Sequence, residues 1–278
     1  MNRALLVGIN KYPGAPLSGC VNDITDMANF LVKNCKFKMQ EIRLLTDSRA
    51  TAKEILARLK WLITGVKKGD RILFHYSGHG AQVVTRDKKG EVDGKDEVIC
   101  PVDFDWTDKH MIRDKDFAKL FSAVPKGVEF VWISDSCHSG DMSKYFPKTK
   151  QTAKTMMPPA DIEWRLQTFN NQTKIQPNSL PKEASKLNVA LISGCQSNQT
   201  SADATFNNRP NGALTYFLLK ELQKPNGLSE SLVTVVKNIN KALDANDFKQ
   251  NPHLEGSKEI EKKGFLDSSK VKEFYLVN

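Results

Sequence analysis

Short apolar runs alternate along this chain with stretches of helical spacing, and that alternation restricts the fold more than any other feature. Residues 3–9 are apolar and end in the turn-like "GINKYPG". In "NDITDMANFLVKN", residues 22–34, apolar side chains fall at Ile24, Met27, Ala28, Leu31 and Val32, the spacing of one helix face, with Asn22 or Asp23 available as a cap. Residues 41–45 predict a short strand and 51–64 a second amphipathic helix. Residues 70–76, "DRILFHY", predict a strand that ends in "SGHG". A short apolar run at 97–101, a helix at 114–123 and strands at 128–134 and 188–193 follow, then helices at 211–222 and 229–245. Strands that alternate with helices predict a mainly parallel sheet covered by helices on both faces.

Composition supports a soluble globular chain. At 278 residues, 40% hydrophobic and 26% charged, it can bury a sizeable core without disulfides. The first nine residues, "MNRALLVGI", lack the pattern of a secretory signal, and no apolar run approaches the ~18 residues of a membrane span. Five cysteines, at positions 20, 35, 100, 137 and 195, are an odd number without a C-x-x-C pair. They predict reduced thiols in a cytoplasmic protein rather than a disulfide framework or zinc site. The net charge of +9 invites nucleic acid, but residues 142–187 alone hold eight Lys or Arg against three Asp or Glu. That Pro- and Gln-containing stretch reads as an insertion or linker, not as a compact basic face, so nucleic acid is not expected as a partner, nor is a membrane.

In open α/β sheets, function gathers beyond the carboxyl ends of the strands. Three predicted strands end in conspicuous chemistry, "HYSGHG", "SDSCHSG" and "SGCQSNQTS". The first two bring His79 and Cys137 to one rim. A thiol attacks carbonyls as its thiolate, and a nearby imidazole takes its proton and later protonates the leaving amine. Gly78 and Gly80 allow close approach of backbone to substrate, and their N–H groups with that of Cys137 are candidate oxyanion donors. Taken singly, His79 reads as a turn histidine and Cys137 as a structural thiol. On two strand ends of one sheet they read as a dyad. His138 follows Cys137 directly and on an extended chain would point away from it, His75 is expected within a strand, and Ser139 lacks a G-x-S-x-G elbow.

"HYSGHG" and "DSCHSG" resemble the histidine and cysteine motifs of the caspase-like cysteine peptidases, specifically type I metacaspases and their bacterial relatives, the orthocaspases. "GINKYPGAPLSGCVNDITDMANFL" resembles the opening of that family, "VDGKDEVICPVDFD" its acidic segment and "QNPHLEGSKEI" its last core strand. The cysteine motif departs from the Q-A-C-x-G of true caspases, so a preference for aspartate is not implied. The resemblance implies a caspase-like three-layer α/β sandwich with about six strands, formed by one peptidase domain over 1–278. Residues 1–141 would be its large-subunit-like part, 142–187 the insertion or linker and 188–278 its small-subunit-like part.

The same resemblance implies a monomeric endopeptidase acting on protein or peptide substrates. Cys137 would be the nucleophile, His79 the acid/base, and Gly80 with Cys137 the oxyanion donors. The pocket for the residue before the cut would be formed by Cys20, Asp23, Ser77 and Asp135. Elementary geometry agrees for Asp135, which lies two residues before Cys137 on the same side of an extended strand, where a carboxylate suits Lys or Arg. The acidic run from Asp87 to Asp108 offers hard oxygen ligands, and the family likeness implies Ca²⁺, with Asp93, Asp103 and Asp105 as candidate ligands. Self-cleavage is expected within 142–187, tethered just after the nucleophile, at Lys144, Lys148, Lys150, Lys154, Arg165, Lys174, Lys182 or Lys186. The alternative expectation is a catalytically inactive caspase-like scaffold or regulatory binding protein.

Overall fold

The apolar runs at the ends of the predicted strand–helix units become the centre of one sheet. The structure, a computed structural model, describes residues 1–85, 95–137, 151–172, 187–195 and 199–266. In chain order, β1 (Asn2–Gly8) is followed by α1 (Cys20–Asn34), β2 (Ile42–Thr46), α2 (Ala52–Ile63) and β3 (Arg71–Ser77). Three short strands then form a separate antiparallel sheet, β4 (Gly80–Val84), β5 (Lys95–Ile99) and β6 (Ile112–Arg113), before α3 (Asp114–Phe121) and β7 (Glu129–Asp135). The second half holds β8 (Thr152–Ala153), α4 (Ala160–Gln172), β9 (Ala190–Ser193), β10 (Ala202–Phe206), β11 (Arg209–Gly212), α5 (Ala213–Leu222), α6 (Leu232–Asp244), β12 (His253–Glu255) and α7 (Lys258–Glu261).

Among the described residues, six strands join in the order β12-β9-β7-β3-β1-β2, all parallel except β12, which runs against β9. Side chains alternate across each strand, so one strand feeds two cores. Leu5, Val7, Phe74, Phe130 and Trp132 pack on one face with Ile55 and Leu59 of α2 and Phe117 and Phe121 of α3. Ala4, Leu6, Leu73, Val131 and Ile133 pack on the other with α1, α5 and α6 through Ile24, Met27, Leu214, Leu218, Val235 and Ile239. Each such aliphatic or aromatic side chain contributes roughly 1.5–3 kcal/mol on burial. The result is the three-layer caspase-like sandwich that the sequence resemblance implies.

Several boundaries shift for identifiable reasons. Helix α1 starts at Cys20 rather than at residue 22, with Gly19 as its cap and no side-chain cap bond. Its first N–H groups are satisfied from elsewhere. Asn10 Oδ1 accepts from Cys20 N at 2.9 Å and Val21 N at 3.3 Å, and Asp203 accepts from Ser18 N at 2.6 Å and Gly19 N at 2.9 Å. Neither Asn22 nor Asp23 is needed as a cap, which leaves the Asp23 carboxylate available to the pocket. By contrast Thr51 and Ser231 do cap α2 and α6, accepting from Glu54 N at 3.3 Å and Thr234 N at 3.2 Å.

The helix expected over 211–222 begins at Ala213, because Arg209–Gly212 pairs antiparallel with β10 instead. Within the expected insertion, the described residues include an ordered strand, β8, and a helix, α4. Trp164 is 64% exposed on that helix. His138 and Ser139 lie outside the described residues.

Candidate active site

Strands β3 and β7 run parallel in register, with Ser77 opposite Asp135. His79 and Cys137 each lie two residues beyond that pair, so the register brings both to the same rim. The ring of His79 stacks at a tilt on Tyr12, with centroids 4.6 Å apart. Its backbone is held by two tyrosines, Tyr12 Oη accepting from His79 N at 3.1 Å and Tyr76 Oη donating to His79 O at 2.6 Å. His79 Nε2 lies 2.7 Å from Ala15 O. A carbonyl can only accept, so Nε2 carries the proton and Nδ1 keeps its lone pair. Nδ1 has no hydrogen-bond partner among the described residues. Burial, helped by the nearby Lys154 ammonium, lowers the His79 pKa to about 4. At neutral pH the ring is therefore an uncharged base.

Between the two strand ends lies a stretch of the chain itself. Lys154 O accepts from Gly80 N and from Cys137 N, each at 3.1 Å. Two converging N–H groups on one carbonyl are what acyl chemistry needs to stabilise an oxyanion. Lys154 N donates to Ser201 O at 3.0 Å, and Met156 N donates to Gly80 O at 2.9 Å. Ala153 and Thr152 pair antiparallel with Ala202 and Asp203 of β10. The segment thus crosses the dyad in extended form, as an added strand. Cys137 Sγ lies 3.3 Å from Ser201 O and in close contact with Ser201 N. Gly78 does not join the oxyanion donors: its N–H points to Asp135 O at 3.4 Å. It is glycine because a Cβ would stand 2.7 Å from Tyr76 Oη and closer still to Tyr12 Oη.

The Lys154 side chain is fully buried, 0% exposed, in a pocket of opposite charge. Its Nζ sits 3.0 Å from Asp135 Oδ1, 3.3 Å from Asp23 Oδ2 and 2.9 Å from Ser77 Oγ. Cys20, buried beside them, completes the set predicted for this pocket, and burial pushes its thiol pKa up. Burial penalises the ammonium, but the carboxylates led by Asp135 outweigh it and hold the Lys154 pKa well above the usual value.

The two acids differ. Burial raises both, but at Asp135 the Lys154 charge and bonds from Thr215 and Ser201 prevail and keep its carboxyl below the usual range. Thr215 N and Oγ1 reach Asp135 Oδ2 at 3.0 and 2.7 Å, and Ser201 Oγ reaches Oδ1 at 2.8 Å. At Asp23 burial wins and the pKa rises to about 6.

Thr215, Ser201, Asn211 and Gly212 are pocket residues that the sequence reading missed. Asn211 Nδ2 donates to Asp23 Oδ1 at 3.0 Å, and Gly212 N donates to both Asp23 oxygens. His75, expected to be packed within its strand, is fully buried with Nε2 3.1 Å from Thr215 Oγ1. Cys195 is buried near the nucleophile, with its sulfur 3.9 Å from Ser136 O and 3.3 Å from Gln199 O.

The candidate calcium ligands are not brought together by the described residues. Asp93 lies outside them. Asp103 Oδ1 accepts from Ala52 N at 2.9 Å at the start of α2. Asp105 holds a turn through Thr107 N and Oγ1, at 3.0 and 2.6 Å, and faces His110 Nδ1 at 2.7 Å. Among the described residues, no three His, Cys, Asp or Glu side chains converge as a metal site requires. Nor is any described helix long and apolar enough to cross a membrane.

Comparison with known proteins identifies the family. The model of the metacaspase, peptidase C14 domain matches residues 2–145. Metacaspase-1 of Meyerozyma guilliermondii is 31% identical over 92% of this chain and 69% of its own length. Metacaspase-1 of Kluyveromyces lactis is 33% identical over 93% of this chain and 66% of its own length. The chain thus spans about two thirds of these relatives. Among solved structures, protein GSU0716 from Geobacter sulfurreducens superposes with a TM-score of 0.66 at 27% identity, over 95% of this chain and 97% of that one. With family model, curated relatives and fold in agreement, the chain belongs to the metacaspase family of C14 peptidases and is a cysteine-type endopeptidase.

Proposed function

We propose that this endopeptidase cuts after Lys or Arg, that Cys137 and His79 carry the reaction, and that its first substrate is its own Lys154–Thr155 bond. The observation that carries the reading is the position of Lys154. Its ammonium is paired with Asp135 and Asp23, and its carbonyl is held by Gly80 N and Cys137 N. A substrate residue before a cut needs both placements at once.

The thiol leaves Ser201 and attacks the carbonyl carbon, its proton passing to His79 Nδ1. Gly80 N and Cys137 N take the developing oxyanion. The C–N bond breaks as His79 returns the proton to the Thr155 amine. Water, deprotonated by the same ring, then hydrolyses the thioester and restores the thiol.

Fluorogenic peptides ending in Arg, Lys, Asp or Leu test the specificity. Hydrolysis after Arg and Lys by the wild type, lost in Cys137→Ala, is the expected result. Equal cleavage after Leu, or cleavage after Asp instead, overturns the pocket assignment.

We also propose that Ca²⁺ raises the rate. Support comes from the hard-oxygen chemistry of the 87–108 run, and a site there needs Asp93 and neighbours outside the described residues. No chemical step above depends on the ion. Unchanged activity in excess chelator rules this proposal out.

A further inference from the structure

Gly212 caps helix α5 at φ −68° and ψ 134°, an extended conformation open to any residue type. The backbone gives no reason for glycine there, but the pocket does. A Cβ at this position would stand 2.6 Å from Asp23 Oδ2 and nearer still to Asp135 Oδ2 and Lys154 Nζ. The carboxylates cannot retreat easily. Asp23 is tied to Gly212 N at 2.8 and 3.0 Å and to Asn211, and Asp135 is tied to Thr215 and Ser201. The loosest of the three neighbours is the end of the lysine side chain. A methyl group would therefore press on all three, and of these only the cation is free to leave.

We propose that Gly212 is a specificity-determining residue: its missing side chain is the space that admits the cationic head of the residue before the cut. The inference rests on the reading that the site takes Lys or Arg. It adds that charge alone does not make the pocket. The first turn of α5 supplies N–H groups that hold both acids, through Gly212 and Thr215, and also leaves the room between them.

The test uses the full chain in a Cys137→Ala background, where self-cleavage is blocked. Lysines are acetylated with an N-hydroxysuccinimide ester and mapped by mass spectrometry. Lys154 is expected to be protected in Cys137→Ala and acetylated in Cys137→Ala/Gly212→Ala. In the active chain, Gly212→Ala is expected to lower kcat/KM for Lys and Arg peptides by about 100-fold, the scale of losing a desolvated charge pair.

Equal protection of Lys154 in both backgrounds, or Lys-peptide hydrolysis close to wild type, overturns the proposal. Acetylation of Lys154 already in Cys137→Ala overturns the occupied pocket itself, and with it the reading beneath. If Gly212→Ala is too unstable to assay, Gly212→Ala is expected to lower Tm less in a Lys154→Ala chain than in the wild type, because one of the three close contacts is gone. An equal loss of Tm in both backgrounds makes Gly212 a packing residue and ends the proposal.

Discussion

Asp135 and Asp23 face the same ammonium in different surroundings. Asp135 accepts hydrogen bonds from Thr215 and Ser201 and stays ionised, whereas burial lifts Asp23 to about 6. Asp135→Ala is expected to cost about 2–5 kcal/mol in transition-state binding of Lys and Arg peptides, because a desolvated cation loses its firmest partner. Steady-state kinetics check this, and a loss equal for Leu peptides would contradict it.

The imidazole gives a pH prediction. With a cation in the pocket the His79 pKa is lowered to about 4, by burial first and also by that charge. An empty pocket removes the charge, so the pKa moves back up. The acid limb of kcat, which reports the occupied site, is expected at lower pH than the limb of kcat/KM. The reverse order in pH–rate profiles contradicts the assignment.

At this scale Asp135 was legible because a two-residue offset from the nucleophile shares its side of a strand. Thr215 and Gly212 were not. They lie some eighty residues further on, and in sequence they look like any helix start.

Among the elements, helices were legible wherever one face repeats every 3.6 residues, as in α1, α2 and α6. The short strands β8 and β11 beside the pocket were not. β8 has two residues and β11 four, and their value lies in backbone pairing with β10 rather than in apolar pattern. Helix α1 shows how distant elements cooperate, since Asp203 of β10 satisfies the N–H groups of Ser18 and Gly19 at its start. Asp203→Ala is expected to destabilise the chain by about 1–2 kcal/mol, the scale of a lost helix cap. Denaturant midpoints in the Cys137→Ala background measure it, and an unchanged midpoint contradicts the role.

A cut after Lys154 would divide the chain into two parts that share one sheet. β7 belongs to the first and β9 to the second, and they pair in parallel from Val131 with Ala190 to Ser134 with Ser193. Both cores continue across that seam, with Ile133 and Ile192 in one and Trp132 and Leu191 in the other. The alternation of strands and helices made this sandwich readable from the sequence, because parallel strands buried on both faces need nearly unbroken apolar runs, however short. Why part of the expected linker is ordered was not readable. Its fixed points are Lys154, drawn in by two acids, and backbone bonds to Gly80, Cys137 and Ser201.

On the proposed reading, Lys154 occupies the site as the residue before the cut. Mass spectrometry of purified wild type and Cys137→Ala, each incubated with Ca²⁺, tests it directly. A new C-terminus at Lys154 and a new N-terminus at Thr155, in the wild type alone, is the predicted result. A wild type that hydrolyses Lys peptides while its own Lys154–Thr155 bond stays intact contradicts that reading.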